Sequence, residues 1–338
     1  RTNMKRGYPA VMSLSEIQKL VKAVRGGDRR ALGRAITLVE SIREDHREQA
    51  EHLQEALLPH RVDSIRVGIS GVPGVGKSTF IEALGQHIIN KGRRIAVLAV
   101  DPSSKLSGGS ILGDKTRMET LSRQQNAFIR PSPAGTTLGG VARRTREAIS
   151  ICEAARYDVV LVETVGVGQS ETAVKEMTDM FVLLLSPAGG DELQGMKKGI
   201  VEMADMILVN KADGKFVTSA RHAVSDYRSA IHLLRPVSPN WQVPVAACSA
   251  LTGAGIDEAW THVEDYEMTL GNSGEIAERR IEQAKTWLWS EVGDTLLERL
   301  KAHPDVQSIL TRLENQVVTG KTTPAAAARR VLRAFLGQ

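Results

Sequence analysis

Apolar residues recur at helical spacing along the first sixty positions of the chain. Ser13 and Glu16 have the spacing of a capping box, and an apolar stripe at intervals of three and four runs from Ile17 to Val24. Asp28 precedes a second stripe of the same kind, and a third follows it. The pattern predicts an N-terminal extension of helices over residues 1–60.

Short β-branched runs alternate with helical stretches after this extension. Each run is apolar throughout rather than at every second position, which is typical of parallel strands that are buried on both faces. We therefore predict an α/β domain over residues 61–265, in which a mostly parallel sheet is covered by helices. The predicted strands are residues 65–69, 95–100, 159–162, 180–185, 206–209 and 243–247.

Residues 266–338 form a helical C-terminal region in this interpretation, because the strand pattern stops before them. One long amphipathic stripe covers residues 276–300, and a second helix is predicted after Pro304. Thr323 and Pro324 supply an N-cap and a first-turn proline for a last helix.

The C-terminal region has more apolar surface than three short helices can bury among themselves. Trp287 and Trp289 are two positions apart and cannot share one face of a helix, so at least one is expected to meet a second surface. We therefore predict that this region joins two copies of the chain in a homodimer. The alternative is that both tryptophans are partly buried within one chain.

The composition is that of an ordinary globular protein. Of the 338 residues, 42% are hydrophobic and 25% are charged, which excludes the disordered and fibrous classes. The formal net charge of +5 is a small and scattered excess, so nucleic acid is not an expected partner, whereas acidic small molecules fit. Apolar runs such as residues 181–185 are far shorter than the roughly 20 residues of a membrane helix, so no membrane partner is expected.

The cysteines and the first residue bear on the compartment of the protein. Cys152 and Cys248 stand in apolar stretches, far from any His or Cys at metal-ligand spacing. We expect two buried thiols in a reducing compartment rather than redox or metal-binding groups. The chain begins with Arg1 rather than Met, which leaves a removed targeting peptide open.

A glycine-rich loop directly follows the first predicted strand and precedes a helical stretch. This is the context that the G-x-x-x-x-G-K-[ST] motif requires, because its backbone N–H groups surround the phosphates of a nucleotide. Lys77 would bridge the β- and γ-phosphates, and the Ser78 hydroxyl would bind Mg²⁺. The predicted phosphate-binding residues are Gly71, Val72, Pro73, Gly74, Val75, Gly76, Lys77, Ser78 and Thr79.

Two later motifs indicate that the nucleotide is GTP rather than ATP. Asn210, Lys211 and Asp213 form N-K-x-D after a predicted strand, and the Asp213 carboxylate would accept the N1–H and 2-amino hydrogens of guanine. Adenine offers neither hydrogen in that arrangement, so ATP would leave the carboxylate unpaired. The loop of Ser249, Ala250 and Leu251 matches the segment that contacts the guanine oxygen through backbone N–H.

An acidic residue ends the third predicted strand, between the two nucleotide motifs. Glu163 stands where the usual GTPase motif D-x-x-G has aspartate, and its longer side chain can hold Mg²⁺ directly or through a water. The alternative is a surface acid at a strand end. The Gly166 N–H would meet the γ-phosphate, and Val167 takes the position where related GTPases use Gln to orient water. We therefore expect slow unaided hydrolysis, with Lys77, Glu163 and Gly166 as its catalytic residues.

Two further aspartates are candidates for the magnesium shell. Asp101 ends the second predicted strand, and Asp114 follows a glycine in the next loop. Together with Ser78 and Glu163, they can supply one or two direct ligands while the others hold waters. A helix N-cap is the alternative role for either aspartate.

The chain resembles the methylmalonyl-CoA mutase-associated GTPases, the MeaB and MMAA group that has also been labelled ArgK. The similarity spans about residues 28–338 and includes the helical flanks. The motifs that carry it are DPSS (101–104), GGSILGDKTRM (108–118), RPSP (130–133), TLGG (137–140), ETVGVGQS (163–170) and GDELQGMKKG (190–199).

This resemblance implies a homodimeric P-loop GTPase, akin to the metallochaperone GTPases, that protects an adenosylcobalamin-dependent mutase. Such a protein gates the loading of the cofactor and helps to eject damaged cofactor. Methylmalonyl-CoA mutase is the implied partner, and the cobalamin adenosyltransferase is a second one. The implied compartment is the cytoplasm of a bacterium or the mitochondrial matrix of a eukaryote. Because no D-x-H-x-x-G motif occurs, cobalamin itself should be bound by the partner.

The resemblance also assigns residues. The family's metal and phosphate positions fall on Lys77, Ser78, Asp101, Asp114 and Glu163. Its extra nucleotide-sensing loop falls on about residues 189–198, with Asp191, Lys197 and Lys198 as switch candidates. Solvated charges at the start of a helix are the alternative for the two lysines.

Two other functions compete with a mutase chaperone. A metallochaperone GTPase for another metalloenzyme would carry His or Cys clusters near its switches, but His87, His222, His232 and His262 stand singly. A kinase linked to arginine and ornithine transport, as the older family label suggests, would pass phosphate to an acceptor other than water. No acceptor-binding motif is visible in the sequence.

Overall fold

The computed structural model describes residues 12–41, 43–100, 118–131, 138–164, 170–187, 198–234 and 236–337. The strands are β1 (Ile65–Gly71), β2 (Ile95–Val100), β3 (Ala127–Arg130), β4 (Val159–Thr164), β5 (Met180–Leu185), β6 (Met206–Val209) and β7 (Val245–Ala247). The helices are α1 (Leu14–Arg25), α2 (Arg29–Val39), α3 (Glu44–Leu57), α4 (Lys77–Asn90), α5 (Glu119–Arg123), α6 (Leu138–Ala154), α7 (Ser170–Lys175), α8 (Lys198–Glu202), α9 (Val217–His232), α10 (Ile256–Asn272), α11 (Glu275–Ala302), α12 (Pro304–Val318) and α13 (Pro324–Leu336). Short 3₁₀ helices lie at Leu58–His60 and Gly214–Phe216.

The strands form one sheet in the order β3-β2-β4-β1-β5-β6-β7, and every described pairing is parallel. Strand β1 lies between β4 and β5, so the loop that follows it opens at the middle of the carboxyl edge. In open parallel sheets, ligands bind at this edge. The predicted α/β class with a parallel sheet is confirmed.

Helices cover both faces of the sheet, as the continuous apolar strands predict. Helices α4 and α10 pack together on one side, where Phe80, Leu84, Trp260 and Val263 join the core of the sheet. On the other side α6 packs on β2, and α7 packs on β1 and β4. Every residue of β1, β2, β4 and β5 is buried, which is why these strands lack a polar alternation.

The N-terminal helices begin where the sequence predicts. Ser13 and Glu16 form the capping box of α1, and Asp28 caps α2 by accepting the N–H groups of Arg30 and Ala31 at 2.7 and 3.0 Å. Helices α1, α2 and α3 pack on one another, and α2 and α3 also pack on α6. The extension is therefore a further layer on the α6 side of the sheet.

Two strand predictions differ from the structure. Strand β3 was not predicted, because it has only four residues and lies at an edge of the sheet. Strand β7 begins at Val245 rather than at residue 243. Pro244 has no N–H to donate to a neighbouring strand, although its carbonyl accepts the Ile207 N–H at 3.0 Å.

The chain divides into two compact units, residues 1–280 and 281–338, and the division falls within α11. In the second unit, α12 and α13 pack together, Val306, Leu313 and Ala327 are buried, and the rings of His303 and Phe335 meet edge to face with centroids 5.4 Å apart. The predicted helices of the C-terminal region are all present. The division at residues 60 and 265 stays a prediction.

Candidate functional site

The glycine-rich loop joins β1 directly to α4. Gly74 and Gly76 have φ values of 82° and 95°, a region that L side chains rarely adopt, and α4 begins at Lys77. The Lys77 side chain is buried, and its Nζ donates to the Gly71 carbonyl at 2.7 Å. The loop therefore presents the start of a helix and a lysine at the carboxyl edge of the sheet, as phosphate binding requires.

Two glycines of this loop have no space for a side chain. A Cβ at Gly71 would lie 2.4 Å from the Leu184 carbonyl oxygen of β5. A Cβ at Gly76 would lie 2.8 Å from the Asn210 side-chain nitrogen, whereas nothing lies within 4 Å of the same position at Gly74. Gly76 is thus constrained by the backbone and by the N-K-x-D motif together.

This difference gives a matched pair of variants. Gly76→Ala is expected to weaken GTP and GDP binding by about tenfold or more, because it combines an unfavourable φ with a clash against Asn210. Gly74→Ala carries a comparable backbone strain without the clash and should have the smaller effect. Nucleotide titration by calorimetry compares the two, and equal losses would contradict the role given to Asn210.

Glu163 lies at the end of β4, next to the phosphate-binding loop. Its side chain is buried, and its Oε1 lies 3.3 Å from the Ser78 Oγ at the start of α4. A buried acid beside Ser78 does not fit the alternative of a solvated surface acid. A hydroxyl and a carboxylate oxygen at this separation are the hard donors that Mg²⁺ prefers, so these residues fit the predicted ion.

A buried hydroxyl pair lies beside these groups, and the sequence did not predict it. Thr164 Oγ1 donates to Ser70 Oγ at 3.0 Å, and both side chains are almost fully buried. Ser70 directly precedes Gly71, and Thr164 directly follows Glu163. The pair therefore connects the strand ends from which the phosphate loop and the acidic loop depart. No motif signals it, because neither residue is part of a nucleotide consensus.

Asn210 connects the phosphate loop to the two guanine motifs. It is almost fully buried, its Nδ2 donates to the Val75 carbonyl at 2.9 Å, and its Oδ1 accepts the Ala250 N–H at 3.0 Å. A side-chain amide has both a donor and an acceptor, and both are used here. Asn210 therefore holds three separate chain segments in one arrangement.

Asp213 and Ser249 form the second connection within the guanine motifs. The Ser249 hydroxyl donates to Asp213 Oδ2, and Ser249 Oγ accepts the Thr252 N–H at 3.2 Å. The fully buried Ser249 thereby fixes the orientation of the Asp213 carboxylate. A carboxylate held at one oxygen keeps the other lone pairs for a ligand.

Lys211 and Leu251 border the same region from the solvent side. Lys211 adopts a φ of 61°, and its Nζ donates to the Gly74 carbonyl at 2.6 Å. The Leu251 side chain is 81% exposed. The structure thus brings the phosphate loop, Asn210, Lys211, Asp213 and residues 249–251 to one edge.

Both cysteines are buried free thiols. Burial raises the pKa of Cys248 to about 12, and burial together with the neighbouring Glu153 raises the pKa of Cys152. Both groups are therefore neutral thiols at physiological pH. Within the described ranges, no three His, Cys, Asp or Glu side chains come together as a metal site.

Several predicted site residues lie outside the described residues. These are Asp101, Asp114, Gly166, Asp191 and Lys197, together with the side chain of Lys198. The described end of β2 pairs with β4, where Ala99 is opposite Glu163 and Val100 is opposite Thr164. The roles of all these residues stay predictions.

A parallel α/β sheet, a phosphate loop after its central strand and linked guanine motifs define the class as P-loop GTPases. The chain belongs to the family described as methylmalonyl Co-A mutase-associated GTPase MeaB, whose profile matches residues 32–305.

Two named relatives and one solved structure are similar to most of this chain. A Mycobacterium tuberculosis protein named "Probable GTPase" is 54% identical over 94% of this chain and 94% of its own length. The mouse protein named "Methylmalonic aciduria type A homolog, mitochondrial" is 47% identical over 94% of this chain and 79% of its own length. The crystal structure of a protein named LAO/AO transport system kinase has a TM-score of 0.75 and 37% identity, and covers 97% of this chain and 100% of that one. The chain is a GTPase.

Proposed function

We propose that this GTPase is a chaperone of adenosylcobalamin-dependent methylmalonyl-CoA mutase, which it protects and whose cofactor loading it gates. The single observation that carries the proposal is the match of residues 32–305 to the mutase-associated family. The name of the mouse relative, a methylmalonic aciduria protein, supports the same partner. A cobalamin adenosyltransferase that supplies the cofactor is the second partner we propose.

Hydrolysis in this proposal is carried by the groups at the carboxyl edge of the sheet. Water attacks the γ-phosphate in line with the bond that breaks, while Lys77 and the loop N–H groups stabilise the charge on the transferred phosphoryl group. Ser78 and Glu163 would hold Mg²⁺, and Asp101 and Asp114 would bind it directly or through waters. Bound magnesium neutralises charge on the β- and γ-phosphates.

The proposed regulation by the partner depends on the loop that follows Glu163. Val167 takes the position where related GTPases use Gln, so this chain lacks that means of orienting the attacking water. We propose that Gly166 contacts the γ-phosphate and that Asp191, Lys197 and Lys198 belong to a loop that responds to it. The mutase would then supply the missing order and raise turnover.

Phosphate release measured with and without purified mutase tests this function. We expect the mutase to raise the GTP turnover of the full chain at saturating GTP by about tenfold or more, within the range of partner-supplied effects. A pull-down with GDP and with a non-hydrolysable GTP analogue should show nucleotide-dependent capture. An unchanged turnover together with no capture in either state would reject the mutase as partner.

The dimer is the second part of the proposal. After Arg280, α11 carries exposed apolar side chains, which on a monomer would form an unusual apolar surface. Trp289 is 73% exposed, whereas Trp287 is half-buried. We propose that a second copy of the chain covers these residues. The exposed apolar residues of this segment are Ile281, Leu288, Trp289, Val292, Leu296 and Leu297.

Charged substitutions on this segment should separate the two copies. The double variant Leu288→Asp and Leu296→Asp is expected to be monomeric in light scattering and to retain GTP binding, because the nucleotide site lies in residues 1–280. Leu233→Asp is the matched control, since Leu233 is an 88% exposed leucine on the first unit. A double variant that stays dimeric would contradict the proposed interface.

A kinase is the competing function, because the similar solved structure is named a transport system kinase. The two functions differ in the fate of the γ-phosphate. Incubation with γ-labelled GTP, with arginine or ornithine present, should release free phosphate under the chaperone proposal. Label on the amino acid or on a protein acceptor would favour the kinase.

The competing metallochaperone function predicts binding of a transition metal in addition to magnesium. Titration of the protein with Ni²⁺ and Zn²⁺ tests it, and binding of either ion would favour that function.

The proposed compartment is that of the mutase, the bacterial cytoplasm or the mitochondrial matrix. Among the described helices, none is both long and apolar enough to cross a bilayer.

A further inference from the structure

Five charged side chains meet at the amino edge of the sheet, opposite the phosphate loop. We call Lys175, Asp179, Asp205, Arg279 and Arg280 the amino-edge network. The carboxylates are almost fully buried and the three cations are mostly buried, with 17 to 25% of their side chains exposed. Burying so many charges is costly unless each is paired, so their arrangement must be strongly constrained.

Asp179 anchors the first turns of α11. Its Oδ1 and Oδ2 accept Arg280 Nε and Nη2 at 2.8 and 2.6 Å, and Oδ2 also accepts the Arg66 N–H at 2.8 Å. Its carbonyl accepts the Tyr266 hydroxyl at 2.7 Å and the Arg279 guanidinium. One residue thus joins β1, α10 and α11.

Asp205 makes the corresponding connection to α7. Its Oδ2 accepts the Lys175 ammonium and, at 2.8 Å, the Phe181 N–H, and it lies 3.6 Å from Arg279 Nη1. Burial acts to lower the pKa of Lys175, and the Asp205 charge opposes that effect. Arg279 contacts both aspartates and so connects the two halves of the network.

The network contacts the far end of α7 through Lys175, and Asp205 follows the end of α8 in the chain. Helix α7 begins six positions after Thr164, the last residue of β4, and ends at Lys175. Helix α8 ends at Glu202, shortly before Asp205. In chain order, both helices therefore lie between a strand of the sheet and a residue of the amino-edge network.

Helix α7 and the residues directly after it pack closely on β1. A Cβ at Gly68 of β1 would lie 2.6 Å from Val174 Cγ1 and 2.9 Å from Thr178 Oγ1. Helix and strand are thus in close contact, and packed interfaces of this kind shift as units rather than deform. A displacement at Lys175 would be carried to Ser170 at the other end of this short helix.

We propose that the amino-edge network positions α7 and α8 for GTP hydrolysis, although it lies about 20 Å from the phosphate loop, the length of β1. Its residues are positioning residues, because none of them has a hydrogen bond or ion pair with the phosphate loop or the guanine motifs in the part of the chain that the structure describes. Loss of Lys175 leaves Asp205 with only the more distant Arg279 as its cation, so the pairing of a buried charge weakens and α7 is expected to shift. The network also makes the rate sensitive to α11, whose first turns hold Arg279 and Arg280.

A double-mutant cycle on Lys175→Met and Asp205→Asn tests the proposal in the full chain. Each single variant should lower kcat per nucleotide-binding site by about threefold to tenfold, the range of remote coupling effects. The affinity for GDP should change less than twofold. The double variant should lose less than the product of the two single losses, and Lys175→Arg should restore most of kcat.

The control is a buried ion pair of the same edge whose side chains belong to α6 and β1 rather than to α7 or α8. Glu153 accepts Arg66 Nε and Nη2 at 2.6 and 3.1 Å, and both residues are buried. Glu153→Gln should lower the melting temperature and leave kcat per site unchanged. If the Lys175 or Asp205 variants do not fold, Arg279→Met, at a more exposed position, replaces them with the same expected loss. Unchanged kcat in the folded variants, or an equal loss in Glu153→Gln, would overturn the proposal.

Discussion

Lys77→Ala is expected to abolish measurable GTP hydrolysis, lowering turnover by about a hundredfold or more, while the protein stays folded. The reason is that Lys77 is the cation of the phosphate loop, and removing one preorganised group that stabilises developing charge has effects of this size. The fold should survive, because the Lys77 ammonium contacts the backbone carbonyls of Gly71 and Val72, where β1 ends and the loop begins. Phosphate release measures GTP hydrolysis, and circular dichroism shows whether the protein stays folded.

The control for this variant is an exposed lysine on the same domain. Lys91→Ala removes a surface ion pair with Glu264 at 3.2 Å, which is expected to contribute little to stability or turnover. Normal hydrolysis by Lys77→Ala would show that this lysine has no phosphate role. A loss of hydrolysis accompanied by unfolding would show that its contacts with the loop are structural.

Asp213→Asn is expected to weaken GTP binding by more than about tenfold and to favour xanthosine triphosphate. The carboxylate accepts two hydrogens from guanine, and hydrogen bonds to charged groups contribute roughly 1.5–3 kcal/mol each. An amide offers a donor in place of one acceptor, which suits the additional oxygen of xanthine. Because Ser249 holds the carboxylate through Oδ2, the substitution also disturbs the orientation of the side chain.

Competition titrations with labelled GTP, xanthosine triphosphate and ATP measure this change. Asp257→Asn is a suitable control, since Asp257 is an exposed acid in the first turn of α10. Unchanged GTP affinity in Asp213→Asn would remove the guanine assignment. A general loss for all three nucleotides would instead indicate that the loop had collapsed.

The parts of the fold that the sequence predicts are those that local patterns encode. The capping residues Ser13 and Asp28 act within one helical turn, and continuous apolar runs identify five of the six predicted strands almost to the residue. Strand β3 is not identified from the sequence, because four residues at the edge of the sheet are too few to form a recognisable apolar pattern. The prediction that β7 begins at residue 243 is wrong, because Pro244 has no N–H to donate to the neighbouring strand.

The candidate site divides in the same way. The glycine loop and N-K-x-D are contiguous motifs, so residues such as Lys77 and Asp213 are found by reading along the chain. The contact of Asn210 with Val75 spans 135 positions, and that of Arg280 with Ser64 spans 216. No local pattern encodes contacts between residues so far apart in the chain, because these contacts depend on the order of the strands in the sheet. The hydrogen bonds of Asn210 and the amino-edge network could therefore be identified only from the structure.

The two hydrogen bonds of the Asn210 side chain affect the rate at which the protein binds a nucleotide. A loop that is ordered only by its ligand adds the loss of backbone entropy to the cost of binding. Here one side-chain amide already holds the phosphate loop at Val75 and the base loop at Ala250, so this ordering is completed when the chain folds. Base and phosphate contacts can then form in a single encounter, and nucleotide association should proceed without a slow rearrangement of either loop.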